Sequence, residues 1–497
     1  MTPNPTLHAS RLAGAVWGHL VGDAVGVPYE FGPARAAESV VFGATGGPWN
    51  QPAGTWSDDG ALMLALIDSL VGGGRGTLDQ PVLDVEDQGR RALGWRRDGA
   101  YAPGRVVFDI GNATRVALHA LEAGAPALDA GPTDERACGN GSLMRILPIG
   151  LVGPAWSPRE RVVAAHAASR VTHGHPRCQV ACAVYVLIVA ALVGGMEPAA
   201  ALAWAFAESG RLYEEERGYE EHAAALEELR AYPERTGSGY VLNAFWSAWD
   251  AFASADSYAD TIRRAVAYGH DTDTTAAIAG GMAGTSFGWE AIPRDWLRGM
   301  RGKEIAQPLV DTLVEGAGCR TSTFSPLRLD ELPLGGTSVA GSGRVAMTFL
   351  PGKKRDGCSG LHWRDLDLDH ARLADAGVDA LLLLNEDEEL VRALVADLPE
   401  VFAAGGKPEL IRFPIPDPHV PDDLGAYRAC VRDVADRVRA GQFVVIACRG
   451  GIDRTGMTAA CLLREAGLAF GPAIARVQAA RPHTITIGAQ QAIVRDW

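Results

Sequence analysis

The spacing of apolar residues changes once along this chain, and that change limits the folds open to it. From residue 9 to about residue 315, apolar side chains recur at helical spacing, with Gly and Pro interrupting the runs. After residue 342, short β-rich runs alternate with helical ones. The β-rich runs lie at residues 345–350, 378–384, 410–414 and 443–447. Strand–helix alternation is typical of a parallel sheet with crossover helices.

These patterns predict a multidomain protein, because 497 residues are too many for one ordinary core. We expect an all-α domain at residues 1–320 and an α/β domain with a mainly parallel central sheet at residues 343–497. The segment between them, residues 321–342, is rich in Thr, Ser, Gly and Pro, and we interpret it as a linker.

The composition is that of a soluble globular protein, with 47% apolar and 21% charged residues. A formal net charge of −14 gives no support for binding to nucleic acid or to anionic membranes. The longest uncharged apolar run, residues 180–196, is at the lower limit for a membrane span and is interpreted as a buried helix. Residues 1–12 do not resemble a secretory signal, and eight scattered cysteines lack any C-x-x-C pair. We therefore expect a cytoplasmic protein.

Two short acidic clusters that also carry hydroxyl groups lie more than two hundred positions apart, at residues 57–59 and 271–274. Their carboxylates and hydroxyls are the hard oxygen ligands that Mg²⁺ and Mn²⁺ prefer. Together they offer enough ligands for a two-metal site. Each cluster also precedes an apolar helical run, so helix capping is the alternative. The presence of two such clusters favours the metal interpretation.

Several polar strings accompany these clusters. Gly14, Gly18 and Gly22 recur at helical spacing, which by itself indicates only close helix packing. Residues 26–31 end in Phe31 after the acid Glu30, and further strings lie at residues 109–115, 139–145 and 172–175. In this order the strings resemble those of the ADP-ribosylglycohydrolase family, which includes dinitrogenase-reductase-activating glycohydrolase, over residues 9 to about 300.

This resemblance implies an all-α fold with two Mg²⁺ (or Mn²⁺) ions. The implied metal ligands are Ser57, Asp58, Asp59, Asp271, Asp273 and Thr274. It also implies hydrolysis of the bond between ADP-ribose and a protein side chain or a small acceptor, with Glu30 and Asp109 as candidates for the catalytic acid or base. Ser57 stands where the family usually has Thr, and it retains the hydroxyl group.

The remaining strings supply candidate substrate-binding residues. Backbone amides of one loop are expected to hold the diphosphate, since turn amides form anion-binding nests; the loop comprises Gly139, Asn140, Gly141 and Ser142. Asn112, Met144 and His173 are expected to line the ribose and its leaving group. The alternatives left open are that Asp109 is a helix N-cap, that Met144 is a core residue, and that His173 and His175 are ordinary loop histidines.

Near the C-terminus an apolar strand runs into Cys448, and Arg454 and Thr455 follow at the start of a helix, in the spacing Cys-x5-Arg-Thr. A helix N-terminus and an arginine stabilise a thiolate. The amides of the loop between Cys448 and Arg454, together with the guanidinium group of Arg454, suit a tetrahedral phosphate. The thiolate attacks this phosphate to form a phosphocysteine. The expected phosphate-binding loop comprises Arg449, Gly450, Gly451, Ile452 and Asp453. The alternative is a buried structural cysteine.

This region resembles the cysteine-dependent protein tyrosine and dual-specificity phosphatases, particularly the cyclin-dependent kinase inhibitor 3-like branch. The resemblance implies that Cys448 is the nucleophile, that Thr455 assists departure of its sulfur, and that no cofactor is needed. Asp417, 31 positions before the cysteine, is the expected general acid, with Asp422 as its rival. Ala447 replaces the His that usually precedes the nucleophile.

Together the two regions predict a bifunctional hydrolase that removes ADP-ribose at one site and hydrolyses phosphomonoesters at the other. Its expected partners are an ADP-ribosylated protein or small molecule and a phosphorylated substrate, with no nucleic acid and no membrane. Two alternatives remain open: the first domain is a non-catalytic ADP-ribose-binding module that targets an active phosphatase, or the phosphatase domain is an inactive scaffold.

Overall fold

The computed structural model describes residues 5–72, 76–154, 156–341, 343–357 and 360–497, and for residues 356 and 357 the backbone only. Ser342 of the expected linker and Cys358 lie outside the described residues. The chain divides into two compact units, Met1–Ala317 and Gly318–Trp497, and each is described by itself.

The first unit is helical throughout the part that the structure describes, as the apolar spacing predicts. Its α-helices are α1 Pro5–Gly26, α2 Asp58–Val71, α3 Val85–Asp98, α4 Asn112–Glu122, α5 Ala127–Ala130, α6 Leu147–Leu151, α7 Pro158–Arg170, α8 Pro176–Val193, α9 Pro198–Glu215, α10 Glu220–Ala231, α11 Val241–Ala253, α12 Tyr258–Ala267, α13 Thr272–Phe287, α14 Arg294–Gly299 and α15 Lys303–Gly316.

Helices α1 and α13 pack against each other more closely than side chains would allow. A β-carbon added at Gly14, Gly18 or Gly22 would lie 2.2 to 2.4 Å from a backbone oxygen of α13. A β-carbon at Gly26 would lie 2.3 Å from the α-carbon of Asp273. The four-residue glycine spacing therefore serves close helix packing, and this packing sets the C-terminal end of α1 beside the N-terminal end of α13.

Helix α8 is the one helix among the described residues that is long and apolar enough to cross a membrane by length and composition. In the structure 83% of that stretch is buried within the protein. It packs against α7, α9, α10 and α13. The prediction of a buried helix within residues 180–196 is confirmed for the part that α8 covers.

The second unit combines a sheet with seven helices in its described residues. Its strands are β1 Asp330–Glu331, β2 Arg344–Phe349, β3 Lys354–Gly357, β4 Gly360–Trp363, β5 Ala380–Leu383, β6 Glu409–Arg412 and β7 Phe443–Cys448. Its helices are α16 Leu366–Asp375, α17 Asp387–Arg392, α18 Leu398–Gly405, α19 Leu424–Arg439, α20 Asp453–Glu465, α21 Phe470–Ala480 and α22 Gly488–Arg495.

The main sheet is small and mixed, with the strand order β1-β2-β7-β5-β6. The pairs β2–β7, β7–β5 and β5–β6 are parallel, whereas β1 pairs with β2 in the antiparallel direction at one edge. The four parallel strands coincide with the four predicted β-rich runs. The antiparallel edge and the separate β3–β4 hairpin were not predicted. Apolar clusters cover both faces of the sheet.

The segment interpreted as a linker is instead packed into the second unit. Leu327, Leu332 and Val339 are buried in the clusters that cover the sheet. Strand β1 also lies in this segment, and Leu332 N donates a hydrogen bond to Val345 O at 2.8 Å. The linker prediction is wrong over these residues because a few well-spaced apolar side chains anchor a segment whose overall composition is polar and glycine-rich.

Candidate active sites

The two acidic clusters meet in the first unit where α2 and α13 begin. Thr274 Oγ1 donates a hydrogen bond to Asp59 Oδ2 at 3.3 Å, joining positions 215 residues apart. Ser57 is the N-cap of α2 and accepts a hydrogen bond from the Asp59 amide at 3.3 Å. The Asp271 side chain makes no such capping bond, although the residue precedes α13. Capping therefore accounts for Ser57 but not for the carboxylates.

A cavity of about 390 Å³ opens onto this meeting point and collects most of the predicted site residues. Those that line it are Glu30, Asp58, Asp109, Asn112, Gly139, Asn140, Gly141, Met144, His173, Asp271 and Thr274. The other four, Ser57, Asp59, Ser142 and Asp273, do not line the cavity and are buried. Met144 is both buried and part of the cavity wall, so the two interpretations of it are compatible.

The carboxylates crowd into two groups that overlap at Asp109. One group adds Glu30 and Asp273, the other adds Asp58 and Asp59, and within each group the nearest ligand atoms lie within 4.8 Å of one another. Among the described residues, no lysine or arginine forms an ion pair with these five carboxylates.

Three buried carboxylate oxygens in these groups have no hydrogen-bond partner within the described chain. They belong to Asp58, Asp59 and Asp273. A buried carboxylate without a partner is costly, and neighbouring like charges raise that cost. Divalent cations bound to oxygen ligands satisfy such groups, so the residues present fit a metal centre.

Burial, and after it the charges of neighbouring carboxylates, raises the pKa of every carboxyl group in the two groups. Burial, with a contribution from the Asp109 charge, raises the pKa of Glu30 to about 9. Burial and the Asp271 charge raise the pKa of Asp109 to about 6. The pKa values of Asp58, Asp59 and Asp273 are raised well above the ordinary range, again mainly by burial.

Asp23 also belongs to this acidic region, although the sequence analysis missed it. Its carboxylate accepts hydrogen bonds from the Ser57 amide at 2.9 and 3.0 Å and from the Gly60 amide at 2.8 Å. It is fully buried, and burial raises its pKa to about 7. Asp23 therefore holds the first turn of α2. The signal that the sequence offered for Asp23 was an acid directly after Gly22 in a helix whose glycines recur at helical spacing.

Asp109 is not the N-cap of the following helix, because Gly111 occupies that position. The backbone of Asp109 has a φ of 56°, in the left-handed region that non-glycine residues seldom adopt. Strained backbone of this kind is concentrated at functional sites. The N-cap alternative for Asp109 is wrong, and its carboxylate instead faces the cavity.

The loop at residues 139–142 contacts both the acidic region and His173. The amide of Asn140 donates to Gly239 O at 3.0 Å, and Asn140 Nδ2 donates to Asp271 Oδ2 at 2.9 Å. The Asn140 amide is therefore not available to the expected anion-binding nest, because it is already bonded to the backbone of Gly239. Ser142 is fully buried and its hydroxyl accepts from Ser169 at 2.9 Å, so it supports the loop from behind.

The two histidines of the next string differ in role. His173 lines the cavity and is hydrogen-bonded to Thr172 Oγ1 at 2.9 Å, while burial and the nearby Arg145 charge lower its pKa to about 3. His173 is therefore a neutral imidazole. His175 caps α8 by accepting from the Arg177 amide at 3.1 Å, which confirms its interpretation as an ordinary loop residue.

An aromatic wall beside Glu30 was also missed. The indole nitrogen of Trp49 donates a hydrogen bond to Glu30 Oε2. The Trp49 ring packs against Phe31 and Phe108, with centroid distances of 6.3 and 5.9 Å. Phe31 and Arg136 line the cavity as well. A flat ring and a guanidinium beside a cavity are groups that contact a base or a diphosphate.

In the second unit, Cys448 ends β7 and is buried, and the loop after it leads into α20. Gly451 has a φ of 65°, and a β-carbon there would lie 2.3 Å from Thr348 O. Arg481 Nη2 donates to Gly450 O at 3.0 Å. The loop is therefore held in a tight curve by close backbone contact.

Arg454 lies in the first turn of α20 and is almost wholly buried. It donates to both carboxylate oxygens of Glu389 at 2.7 Å each and to Ile415 O at 2.7 Å. Its Nε lies 3.4 Å from Asp417 Oδ1. The predicted general acid and the predicted phosphate-binding arginine are thus brought together. Glu389, which holds this arginine, was not among the residues predicted from the sequence.

The remaining predicted residues of this loop divide into two kinds. The Thr455 hydroxyl is buried with no hydrogen-bond partner among the described residues, as a group awaiting a ligand or thiolate would be. The Asp453 carboxylate accepts hydrogen bonds from Thr486 N and Oγ1 at 2.8 and 2.9 Å. Its side chain is therefore engaged with Thr486 rather than with a phosphate. Asp422 is exposed and makes no ion pair with Arg454, in contrast to Asp417.

A buried cluster of acids around a cavity in a helical unit defines a candidate metal-dependent hydrolase. Comparison with known proteins agrees: the family model for ADP-ribosylglycohydrolase matches residues 3–322. The chain therefore belongs to the ADP-ribosylglycohydrolase family.

Two curated proteins illustrate the similarity. ADP-ribosyl-[dinitrogen reductase] glycohydrolase of Rhodospirillum rubrum is 30% identical over 321 residues, which are 63% of this chain and 98% of that protein. ADP-ribosylarginine hydrolase Tri1 of Serratia proteamaculans is 28% identical over 321 residues, 61% of this chain and 78% of that protein.

For the C-terminal part, a solved structure of kinase associated phosphatase is 21% identical, covers 35% of this chain and 94% of that chain, and has a TM-score of 0.32. A similarity of this size carries no weight here. The phosphatase interpretation of the second unit rests on its own residues.

Proposed function

We propose that the first unit removes ADP-ribose from a modified arginine side chain in a metal-dependent hydrolysis. The observation that carries this proposal is the set of crowded carboxylates whose buried oxygens lack partners. The relatives named for ADP-ribosylarginine hydrolysis and for dinitrogen reductase support the substrate class. The metal would be held by Ser57, Asp58, Asp59, Asp271, Asp273 and Thr274.

Divalent cations bound to these oxygens supply Lewis acidity toward ribose hydroxyls and an activated water. The protein's own groups complete the site. Glu30 and Asp109 face the cavity and move the proton between the water and the leaving nitrogen. Asn140, fixed by Asp271, and neutral His173 orient the ribose. Arg136 and the aromatic wall contact the diphosphate and the adenine.

Release of free ADP-ribose tests this function. Purified protein is incubated with arginine-linked, serine-linked and acetyl-linked ADP-ribose, with Mg²⁺, with Mn²⁺ and with a chelator. We expect release from the arginine linkage that requires the metal and is lost in Asp273→Asn. The exposed Asp129→Asn is the matched control. ADP-ribose binding without release from any linkage would instead favour the non-catalytic binding module.

For the second unit we propose Cys-dependent hydrolysis of phosphomonoesters, supported by the juxtaposition of Arg454 with Asp417 and Glu389. The Cys448 thiolate attacks phosphorus, so that an S–P bond forms as the P–O bond to the leaving group breaks. Asp417 gives its proton to the leaving oxygen. Water then cleaves the S–P bond, releasing inorganic phosphate, while Thr455 assists departure of the sulfur.

Hydrolysis of p-nitrophenyl phosphate tests this second function. We expect turnover by the full chain in the presence of a chelator, loss of turnover in Cys448→Ser, and unchanged turnover in Cys430→Ser, a cysteine of α19. Turnover that survives Cys448→Ser would contradict the mechanism. A wild-type chain without turnover would favour the inactive scaffold.

A further inference from the structure

A second cavity, of about 340 Å³, lies beside the cysteine loop of the second unit, and its lining has more basic than acidic residues. Five of its lining residues carry positive charge: Lys353, Lys354, Arg355, Arg392 and Arg449. Its acidic lining residues are Glu386, Glu389 and Asp417. Of these, Glu389 is already bound by both arms of Arg454, so it does not neutralise the lining cations.

Two of the cations are held in place by backbone. Lys353 is buried, donates to Arg449 O at 3.2 Å and lies 4.4 Å from the centre of the Phe349 ring. Lys354 is buried and donates to Arg364 O at 2.7 Å. These contacts hold both ammonium groups at the wall of the cavity.

The buried His362 lies close enough to these cations for their charges to act on it. Burial, with the charges of Lys353 and Arg364, lowers the pKa of His362 to about 3. The imidazole therefore stays neutral among cations rather than adding another charge. Such a field attracts anions into the cavity.

Arg392 and Arg449 are exposed, and neither forms an ion pair within the part of the chain that the structure describes. Arg449 directly follows the nucleophile Cys448, whereas Arg392 ends α17. The cavity thus extends from the phosphate-binding loop to a second arginine that is not part of that loop. Guanidinium groups bind phosphate through paired hydrogen bonds.

We propose that this site takes a phosphomonoester that carries a second phosphate group, which Arg392 binds while the first phosphate occupies the Cys448 loop. This inference rests on the proposed phosphatase function of the second unit. A single phosphate on an uncharged body, such as phosphotyrosine, would place no anion beside Arg392.

Binding to the full-length Cys448→Ser chain tests the inference without turnover. Calorimetry compares inositol 1-phosphate with inositol 1,4-bisphosphate. We expect the bisphosphate to bind at least about tenfold more tightly, since one charge-assisted contact is worth about that factor. Arg392→Ala should remove most of this preference. Arg439→Ala, an exposed arginine at the end of α19, should retain it.

Equal affinities for the two probes, or a preference that survives Arg392→Ala, would overturn the inference. Co-sedimentation with phosphatidylcholine vesicles containing phosphatidylinositol 4-phosphate distinguishes the source of the phosphates. Sedimentation that Arg392→Ala abolishes supports a lipid-borne headgroup, and tight binding of the soluble probe alone supports a free metabolite. Sedimentation that ignores Arg392 counts against the inference.

Turnover of p-nitrophenyl phosphate, measured beside the preference for the bisphosphate, distinguishes failure of this inference from failure of the proposed phosphatase function. If wild-type protein turns over p-nitrophenyl phosphate but shows no preference for the bisphosphate, only the inference fails. If it shows the preference but hydrolyses no phosphomonoester, the hydrolytic function fails and the second anion-binding site stands.

Discussion

Glu389 accepts a hydrogen bond from each terminal nitrogen of the Arg454 guanidinium, at 2.7 Å in both cases. Both side chains are buried, with 1% and 6% of the arginine and glutamate side chains exposed. Since Arg454 also lies near Asp417, the proposed phosphatase reaction would use Glu389 to fix the angle at which the arginine meets a phosphate. We therefore expect Glu389 to be a positioning residue rather than one that touches substrate.

Replacing this carboxylate tests its positioning role. Glu389→Gln removes the charge and one acceptor from a buried arginine, so we expect kcat/KM for p-nitrophenyl phosphate to fall by about 10-fold to 100-fold, mainly through KM. Glu388→Gln, on the exposed side of the same helix, is the control and should match the wild type. A loss of stability with an unchanged KM would mean that the pair is only structural.

Asp23 is the corresponding positioning residue of the first unit. Asp23→Asn replaces one acceptor oxygen by a donor group facing the Ser57 and Gly60 amides, which loosens the first turn of α2. Loss of a residue that supports metal ligands usually weakens metal binding by about 10-fold to 100-fold. Calorimetric titration with Mn²⁺ measures this. Affinity equal to that of the wild type would show that Asp23 serves folding alone.

Charge repulsion among the carboxylates predicts that one variant, Asp273→Asn, raises the melting temperature without metal and weakens the stabilisation by metal. In chelator, Asp273→Asn removes a buried carboxyl group whose ionised form is repelled by Glu30 and Asp109, so we expect the melting temperature to rise. The same variant should lose metal-induced stabilisation. Thermal scans with and without Mg²⁺ measure both. A variant that is less stable in chelator would show that Asp273 is held by favourable contacts.

The glycine loop beside His173 gives a steric prediction. A β-carbon at Gly141 would lie 2.8 Å from His173 Cε1 and 3.2 Å from Thr114 Oγ1, whereas one at Gly139 would come no closer than 3.6 Å to any neighbour. We therefore expect Gly141→Ala to weaken ADP-ribose binding by about tenfold or more, because His173 must shift. Gly94→Ala, in α3 and outside the cavity lining, is the matched control, because an added β-carbon there meets nothing within 4 Å. Calorimetry with ADP-ribose decides between them.

Strands and site residues were predictable from the sequence where residues of the same kind follow one another along the chain. Buried parallel strands are continuous apolar runs, so all four were found, whereas β1 is too short to leave such a pattern. Asp23 was missed because it stands alone within a glycine-rich helix. Glu389 was missed because it ends an acidic run, residues 386–389, that resembles a solvated surface. Only packing distinguishes the one buried acid from its exposed neighbours.

The last prediction concerns pH and the buried His166, which is hydrogen-bonded to Tyr213 Oη at 2.8 Å. Burial, with the neighbouring His222 and Arg170, lowers its pKa well below the ordinary 6.5. The folded state therefore keeps His166 neutral while the unfolded chain takes up a proton below pH 6.5. The contribution of His166 to stability is full above that pH and falls as the pH is lowered, by up to about 1.4 kcal/mol per pH unit.

Urea denaturation followed by far-UV circular dichroism, which the helical first unit dominates, measures this dependence. Between pH 7 and pH 5 we expect His166→Gln to lose stability less steeply than the wild type, although it starts from a lower value. His119→Gln, which changes an exposed histidine of α4, is the control and should keep the wild-type slope. Parallel slopes for the wild type and His166→Gln would show that His166 is protonated in the folded protein.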